Sequence, residues 1–429
     1  MNYKQAMDYI KEVGNFGSNY GLERTERILE ILGNPHKKIK CIHIAGTNGK
    51  GSTTSIINSI LIEEGFKVGM YTSPFLEEFE ERIQINKENI KKEDLAICVE
   101  TVKEAVDKVI EEGYSHPTEF EIITCVMFEY FYKNKVDYAV IEVGLGGRLD
   151  STNVVSPILT VITSIGLDHT NLLGNTIEEI AREKGGIIKN NVPLILYPQK
   201  ESVKKEILKI AKEKNSKVYI VNEKNSKLIS INKEKFYQNI EVKGLKKDYK
   251  LKLRLLGEHQ ILNCNVAINA VEVLAKIEDF NINNIEKGVF NAKWIGRLEV
   301  LRENPLIVID GAHNIQGIKM LKKNILEYFD YDDMYLLIGI LSDKQVDDMI
   351  KEIVPLSKKV IALTPHSDRA ELASELREHI KMVNKNVLSF EDYNEGLEEI
   401  LKDAKENDLI LVTGSLYMIG DMRKIINKK

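Results

Sequence analysis

The sequence has 429 residues, of which 43% are hydrophobic and 29% charged, and its formal net charge at pH 7 is −5. This length predicts two or three domains of roughly 150 residues each, and the composition is that of an ordinary folded protein with a soluble surface. The negative charge argues against broad nucleic-acid binding, because such binding needs a basic face.

Cysteine usage and hydropathy indicate the cellular compartment in which the protein works. The four cysteines, at 41, 98, 125 and 264, include no CxxC pair, which predicts reduced thiols and neither a zinc site nor a disulfide framework. The N-terminus lacks the apolar core of a signal peptide, and no apolar run approaches the ~20 residues that span a bilayer. We therefore expect a cytoplasmic monomer with no membrane or nucleic-acid partner.

Apolar strand-like runs alternate with helical patterns through the first half of the chain. Thr176 with Glu179 forms a capping box that starts one of these helices. Such alternation predicts βαβ units and a mostly parallel sheet. Strands are predicted at 41–45, 67–71, 137–143, 158–165, 192–197 and 217–221, and helices at 25–32, 55–64, 92–111, 119–134, 177–184 and 201–214.

The second half begins with a looser, lysine-rich and asparagine-rich stretch at 222–256, which predicts short antiparallel strands or a surface excursion. A long helix is predicted at 259–277, and a second alternation follows Trp294. Its strands are predicted at 306–309, 335–340, 360–363 and 409–412, and its last helix at 416–426. We expect an α/β protein with a hinge near 292–298. Residues 1–295 would form a P-loop domain with a mostly parallel sheet, and residues 296–429 a smaller Rossmann-like α/β domain.

The segment at 40–53, KCIHIAGTNGKGST, predicts a strand, a glycine-rich turn and a helix. Glycines let backbone N–H groups approach phosphates, and the helix N-terminus favours an anion. Lys50 can reach the outer phosphates and Ser52 can bind Mg²⁺. The spacing departs from the general P-loop, because Gly51 separates Lys50 from Ser52. A glycine-rich connection without a ligand is the alternative, but the coincidence of strand, lysine, hydroxyls and helix favours a phosphate site.

Polar residues follow other strands at the edge where α/β sheets bind ligands. Glu142 precedes a glycine-rich turn and suits Mg²⁺, although an acid at a strand end can also simply face solvent. His169 suits a metal or acid–base role, or a structural hydrogen bond. Ser73 suits a metal, or a turn before Pro74. Lys184 ends a helix, where composition alone indicates a partner for the helix dipole.

Two groups in the second half could face the same ligand. Asp310 directly follows a predicted strand and suits a ribose hydroxyl or an amine, or else caps the next helix. Arg297, at the expected hinge, could donate two hydrogen bonds to phosphates across a cleft. An arginine at such a place can equally form a salt bridge between domains.

Taken in order along nearly the whole chain, these motifs resemble the folylpolyglutamate synthase and dihydrofolate synthase family of the Mur ligase superfamily. The phosphate loop with its inserted Gly51 resembles that of the family, and Phe120 to Thr124 matches its FExxT signature. The remaining matches are 72–74, 142–153, 168–170, 183–184, 259–260 with Asn263, 296–297 and 310–314.

The resemblance implies an ATP-dependent ligase that adds L-glutamate to tetrahydrofolate or dihydropteroate through an acyl phosphate. It also implies two Mg²⁺ ions and a carbamylated Lys184. The residues it assigns to ATP are Gly49, Lys50, Gly51, Ser52, Asn263, Arg297 and Asp310. Those assigned to Mg²⁺ are Ser52, Ser73, Glu142 and His169, and those assigned to catalysis are Lys50, Lys184, His169, Asp310 and His313. Those assigned to the pterin substrate are Tyr20, Gly21, Leu22, Arg24, Thr118, Phe120, Glu121, Leu149, Asp150 and Ser151.

Three residues depart from the family pattern. Phe75 replaces a histidine, Gly185 replaces an alanine after the key lysine, and Ile295 replaces a proline at the hinge. Two other functions are compatible with the motifs. One is a Mur ligase that acts on UDP-muramyl peptides, and the other is a P-loop nucleotide switch that binds a protein partner, which leaves the motifs of the second domain unexplained.

Overall fold

A computed structural model describes residues 1–14 and 21–428 of the chain, so the predicted substrate residue Tyr20 lies outside the described residues. The first sheet has its strands at β1 (Cys41–Ala45), β2 (Val68–Tyr71), β3 (Ile83–Ile85), β4 (Glu88–Asn89), β5 (Tyr138–Glu142), β6 (Leu159–Ile162), β7 (Leu194–Leu196) and β8 (Val218–Ile220). The helices of this part are α1 (Tyr3–Gly14), α2 (Glu23–Ile31), α3 (Lys50–Glu63), α4 (Lys92–Glu111), α5 (Glu119–Lys133), α6 (Thr170–Leu173), α7 (Ile177–Gly185) and α8 (Glu201–Glu213).

The order of this sheet brings the phosphate loop and the predicted acid together. It has eight strands in the order β4-β3-β2-β5-β1-β6-β7-β8, with β1 parallel to both β5 and β6. All residues of β1 are buried, as expected of a strand covered by helices on both faces. Because parallel strands end at the same edge, the loops after β1, β5 and β6 meet there.

The lysine-rich stretch forms a separate antiparallel sheet of β9 (Ser226–Asn232), β10 (Tyr237–Lys243) and β11 (Asp248–Leu253). Two helices follow, α9 (Glu258–Glu278) and α10 (Ile285–Phe290). The carboxylate of Glu272, 1% exposed on α9, accepts hydrogen bonds from the backbone N–H groups of Leu245 and Lys246 and from the Tyr249 hydroxyl. One buried acid thus fixes the β10–β11 turn to the core helix.

The second large sheet is built from β12 (Glu299–Glu303), β13 (Leu306–Asp310), β14 (Met334–Ile338), β15 (Lys359–Leu363), β16 (Val387–Phe390) and β17 (Leu409–Thr413). Its helices are α11 (Ile315–Tyr328), α12 (Val346–Ile353), α13 (Ala373–Lys381), α14 (Tyr393–Asp403) and α15 (Leu416–Lys428). The strand order is β12-β13-β17-β14-β15-β16, with only β12 antiparallel to its neighbour. Buried apolar clusters cover both faces, so this sheet is doubly wound.

Short 3₁₀ helices complete the described elements, at Pro35–Lys38, Phe79–Arg82, Ser151–Val154, Glu223–Asn225 and Val354–Leu356. Every helix in the described part of the chain is too short or too polar to cross a membrane. The four cysteines are buried and unpaired, as the sequence predicts.

The predicted fold class is confirmed, and each predicted strand is present with ends that differ by a few residues at most. The predicted start of the helix at 55–64 is wrong, because α3 begins at Lys50. Its first turns bury the polar residues Ser52, Thr53 and Thr54, so the amphipathic pattern that marks a surface helix is missing there. The prediction also lacked α1, strand β3 and the edge strands β4, β12 and β16.

We expect Glu272→Ala to lower the free energy of unfolding by about 2 kcal/mol, because two N–H groups and a hydroxyl lose a charged acceptor inside the protein. Urea unfolding followed by circular dichroism measures the change. Glu241→Ala is the control, since Glu241 forms an exposed ion pair with Lys227 in the same small sheet. Equal stability of the Glu272→Ala variant and the wild type would show that the buried carboxylate does not hold the turn.

Candidate active site

The phosphate loop joins the end of β1 to the first turn of α3 and is held by the loop that follows β6. The N–H groups of Thr47 and Asn48 donate to the Ser164 carbonyl at 2.7 and 3.2 Å. The Thr47 hydroxyl contacts both the carbonyl and the N–H of Gly166 at 3.1 Å. Gly49 stands at the N-cap of α3 with φ 86°, a conformation that favours glycine. The conformation of the phosphate loop is therefore fixed by hydrogen bonds to the loop that follows β6.

Two glycines of the phosphate loop lie so close to other side chains that a Cβ atom would clash with them. A Cβ on Gly49 would lie 2.5 Å from Oδ1 of Asn263 on α9, and a Cβ on Gly51 would lie 2.2 Å from Cζ2 of Trp294. The inserted glycine thus makes room for the indole, which packs against the first turn of α3. Trp294 is the only tryptophan in the sequence, and no motif around it predicts this contact.

Glu142 ends β5 beside the phosphate loop and is 4% exposed. Its Oε1 lies 3.9 Å from Nζ of Lys50. Burial raises the pKa of Glu142 to about 7, against the lowering effect of Lys50, of the Ser73 N–H and of Arg297. Its Oε2 is buried and accepts no hydrogen bond within the described residues. A buried carboxylate oxygen without a donor fits a bound cation.

Lys184 lies in the last turn of α7, and its side chain points at the phosphate loop. Its side chain is 3% exposed and its Nζ donates to the Gly46 carbonyl at 2.9 Å. The glycine-rich loop after β5 packs on this end of the helix, where the Arg148 N–H donates to the Glu183 carbonyl at 2.8 Å. Burial lowers the pKa of Lys184 to about 7, helped by Lys50, so much of the amine is neutral near pH 7.

His169 lies at the mouth of the same site and is the most exposed of the predicted groups. Its side chain is 56% exposed, with Nε2 3.8 Å from Oδ1 of Asp168. A small cavity of about 30 Å³ is lined by Lys50, Lys184, Asp168, His169 and residues 143–146. The described residues contain no group of three or more His, Cys, Asp or Glu side chains that could hold a metal ion.

Asp310 orders two turns at the end of β13. Its carboxylate accepts the N–H groups of Leu298 and Ala312, each at 2.9 Å. The alternative that Asp310 caps the next helix is wrong, because the Asn314 side chain caps α11 by accepting the Gly317 N–H. Asp310 instead fixes the turn that carries Arg297.

Arg297 and His313 lie in the second domain but act electrostatically across the cleft. The guanidinium of Arg297 opposes the effect of burial on the pKa of Glu142 and of Asp310. The pKa of His313 is lowered by burial, and Asp168 of the first domain opposes that change. The His313 ring nitrogen Nδ1 lies 2.8 Å from the Gly311 carbonyl. Groups from both large sheets therefore share one polar site.

The residues predicted to bind the pterin cluster around α2, α5 and the loop after β5. Arg24 forms two hydrogen bonds with the Glu121 carboxylate, at 3.0 and 3.1 Å, and Glu121 also forms a capping box with Thr118. Asp150 accepts the N–H groups of Leu145 and Thr152. These carboxylates already have hydrogen-bond donors from the protein.

The other predicted pterin residues lie nearby. The Phe120 ring packs against Gly144, where a Cβ would lie 2.4 Å from its Cζ. Gly21 and Leu22 directly precede α2, Ser151 is buried, and Leu149 is 36% exposed. That this group binds the substrate stays a prediction.

We expect Gly51→Ala to weaken nucleotide binding at least about tenfold, because its Cβ and the Trp294 ring cannot both keep their places. Calorimetric titration with ADP measures the dissociation constant. Trp294→Leu combined with Gly51→Ala provides room for the new methyl group and should recover part of the affinity. If the single variant binds ADP like the wild type, the ring does not restrict position 51.

Comparison with known proteins gives matches over nearly the whole chain. Residues 44–271 match the Mur ligase middle domain, and residues 296–416 match the Mur ligase glutamate ligase domain. A dihydrofolate synthase/folylpolyglutamate synthase of Bacillus subtilis is 38% identical over 427 residues, which are 98% of each protein. The folylpolyglutamate synthase structure from Thermotoga maritima has a TM-score of 0.88 at 35% identity and covers 99% of this chain and 96% of that one. The Mycobacterium tuberculosis folylpolyglutamate synthase, complexed with ADP and AMPPCP, has a TM-score of 0.88 at 26% identity and covers 100% of both chains.

Proposed function

The chain belongs to the Mur ligase family, and we propose that it is an ATP-dependent ligase that adds L-glutamate to tetrahydrofolate and also to dihydropteroate. The relatives named above carry these activities in their names. The observation that carries the proposal for this chain is the buried Glu142 carboxylate, whose Oε2 has no donor within the described residues, beside Lys50. Such a group suits a nucleotide and its counter-ion.

The reaction proceeds by two displacements. A carboxylate oxygen of the pteroate or folate attacks the γ-phosphorus of ATP, and ADP leaves. The glutamate amine then attacks the acyl carbon, loses a proton and expels phosphate, which leaves an amide. Lys50 and Arg297 stabilise the charge on the phosphates, and the loop N–H groups orient them. Closure of the two domains about the hinge keeps water from the acyl phosphate.

Mg²⁺ fits the donors of this site. In our proposal Ser52, Ser73 and Glu142 would hold one ion, and Glu142 with His169 would hold a second. Bound Mg²⁺ would neutralise phosphate charge, while the protein residues position ATP. The Oε2 of Glu142, buried without a hydrogen bond among the described residues, supports a cation at this place.

We also propose that Lys184 is carbamylated. Only a neutral amine reacts with carbon dioxide, and the pKa of Lys184, lowered to about 7 by burial, supplies that form near pH 7. The product is an anion, which removes the repulsion from nearby Lys50 and can contact a metal ion.

The protein would act as a cytoplasmic monomer with its domain boundary at 295/296.

Two rival functions make different predictions in one assay. A ligase for UDP-muramyl peptides would release ADP with that substrate and not with folates. A nucleotide switch would release no ADP in response to glutamate. We expect glutamate-dependent ADP release with tetrahydrofolate or dihydropteroate only, and its absence with both would contradict the proposal.

We expect Lys50→Ala to abolish ligation, because the outer phosphates would lose the cation that we propose binds them and Glu142 loses its ion-pair partner. Incorporation of radiolabelled glutamate into folate measures the loss. Lys351→Ala is a matched control, since Lys351 is exposed on α12 of the other domain. Near-normal incorporation by Lys50→Ala would rule out the phosphate role.

Lys184→Ala should also lose activity, and small carboxylic acids such as acetate should restore part of it by replacing the carbamate anion. ADP release measured with and without acetate tests this. Lys50→Ala serves as the control, because a carboxylate cannot replace its missing cation. An unchanged rate in Lys184→Ala, or a loss that acetate does not relieve, would remove the carbamate from the mechanism.

A further inference from the structure

The loop at 72–82 joins the ATP site to the second domain. At its start, the backbone N–H of Ser73 lies near the Glu142 carboxylate. Further along, the Glu81 carboxylate accepts the N–H groups of Leu76, Glu77 and Glu78, at 2.7, 3.0 and 3.0 Å. The middle of the loop is therefore folded around one acid, and Glu77 lies in this ordered part, four residues after Ser73.

Arg423 on α15 binds this loop from the second domain. Its Nη1 donates to Oε1 of Glu77 at 2.7 Å, while its Nε and Nη2 donate to Oε1 of Glu299 at 3.0 and 2.7 Å. Lys424 adds a hydrogen bond to the Glu77 carbonyl. Close packing supports the contact, since a Cβ on Gly420 would lie 2.0 Å from the Leu76 carbonyl oxygen.

Glu299 continues the connection to the turn that carries Arg297. Its Oε2 accepts the N–H of Gly296 at 2.8 Å, the residue before Arg297. A Cβ on Gly296 would lie 3.0 Å from the Leu76 side chain, so the turn also touches the loop directly. Arg423 thus joins the loop that carries Ser73 to the turn that carries Arg297.

The contact between this loop and the second domain depends on the positive charge of Arg423. The side chains of Glu77 and Glu299 are only 16% and 20% exposed, and that of Arg423 is 21% exposed. Without the guanidinium, two partly buried carboxylates would face each other without the cation between them, which costs free energy. The fork geometry of arginine serves both acids at once, whereas lysine would hold one.

We propose that Arg423 is a positioning residue of the ATP site, which sets the Ser73 loop and the Arg297 turn in register when the domains meet. The inference rests on the proposed function, because it concerns the geometry of the same phosphates. Arg423 itself touches neither the phosphate loop nor Glu142 in the structure, and it acts through Glu77 and Glu299.

Arg423→Gln tests the proposal through two readouts. We expect kcat/KM for ATP to fall at least about tenfold. We also expect AMPPCP to bind more weakly, which can be measured by the fluorescence of Trp294 beside the phosphate loop. Arg423→Lys should recover part of both. Lys359→Gln is the matched control, since Lys359 also lies between two acids of the second domain, Glu399 and Asp403, at 2.8 and 2.7 Å, away from the cleft. It should lower thermal stability and leave kcat/KM for ATP within about twofold.

Two results would overturn the proposal. One is a kcat/KM and an AMPPCP affinity within about twofold of wild type for Arg423→Gln, and the other is an equal loss for Lys359→Gln. If Arg423→Gln does not fold, Glu77→Gln breaks the same bridge with a smaller change and must show the same loss. Failure of the proposed function is separate: wild-type protein would then release no glutamate-dependent ADP, while AMPPCP binding would still report on Arg423.

Discussion

The buried carboxylate of Glu142 is the constraint around which the site is arranged. Removing such a group from water is costly unless donors or cations surround it. The chain supplies Lys50 and the Ser73 N–H close by and Arg297 from the second domain, yet the pKa of Glu142 is still raised to about 7 and its Oε2 stays without a donor in the described structure. A cation beside Oε2, as in the proposed function, would supply the partner that the described residues do not.

That requirement explains why the site is divided between two sheets. The first sheet supplies the phosphate loop, Glu142 and Lys184 at the carboxyl ends of β1 and β5 and the end of α7. The second sheet supplies Arg297 on a turn that Asp310 and Glu299 hold by backbone hydrogen bonds. A site assembled from two domains can admit substrates when the domains part and exclude water when they meet.

The sequence predicted those parts of the site that follow from local pattern and sheet geometry. Glu142 and the phosphate loop could be placed together because both follow parallel strands. The packing of Trp294 on Gly51 could not be predicted, because it joins residues far apart in sequence and leaves no periodic signal. Arg423 and Glu77 are 346 positions apart, and each looks like an ordinary surface charge. The orientation of Lys184 was likewise hidden, since composition at a helix end indicates only a dipole partner.

The most direct test of the central claim follows oxygen from the folate or pteroate carboxylate. The substrate is labelled with ¹⁸O in its reacting carboxylate and incubated with ATP and L-glutamate, and the phosphate is analysed by mass spectrometry. If ATP activates that carboxylate as an acyl phosphate, each phosphate released with product carries one ¹⁸O atom. Amide product accompanied by unlabelled phosphate would contradict the account, because the carboxylate would then never have been bonded to the γ-phosphorus.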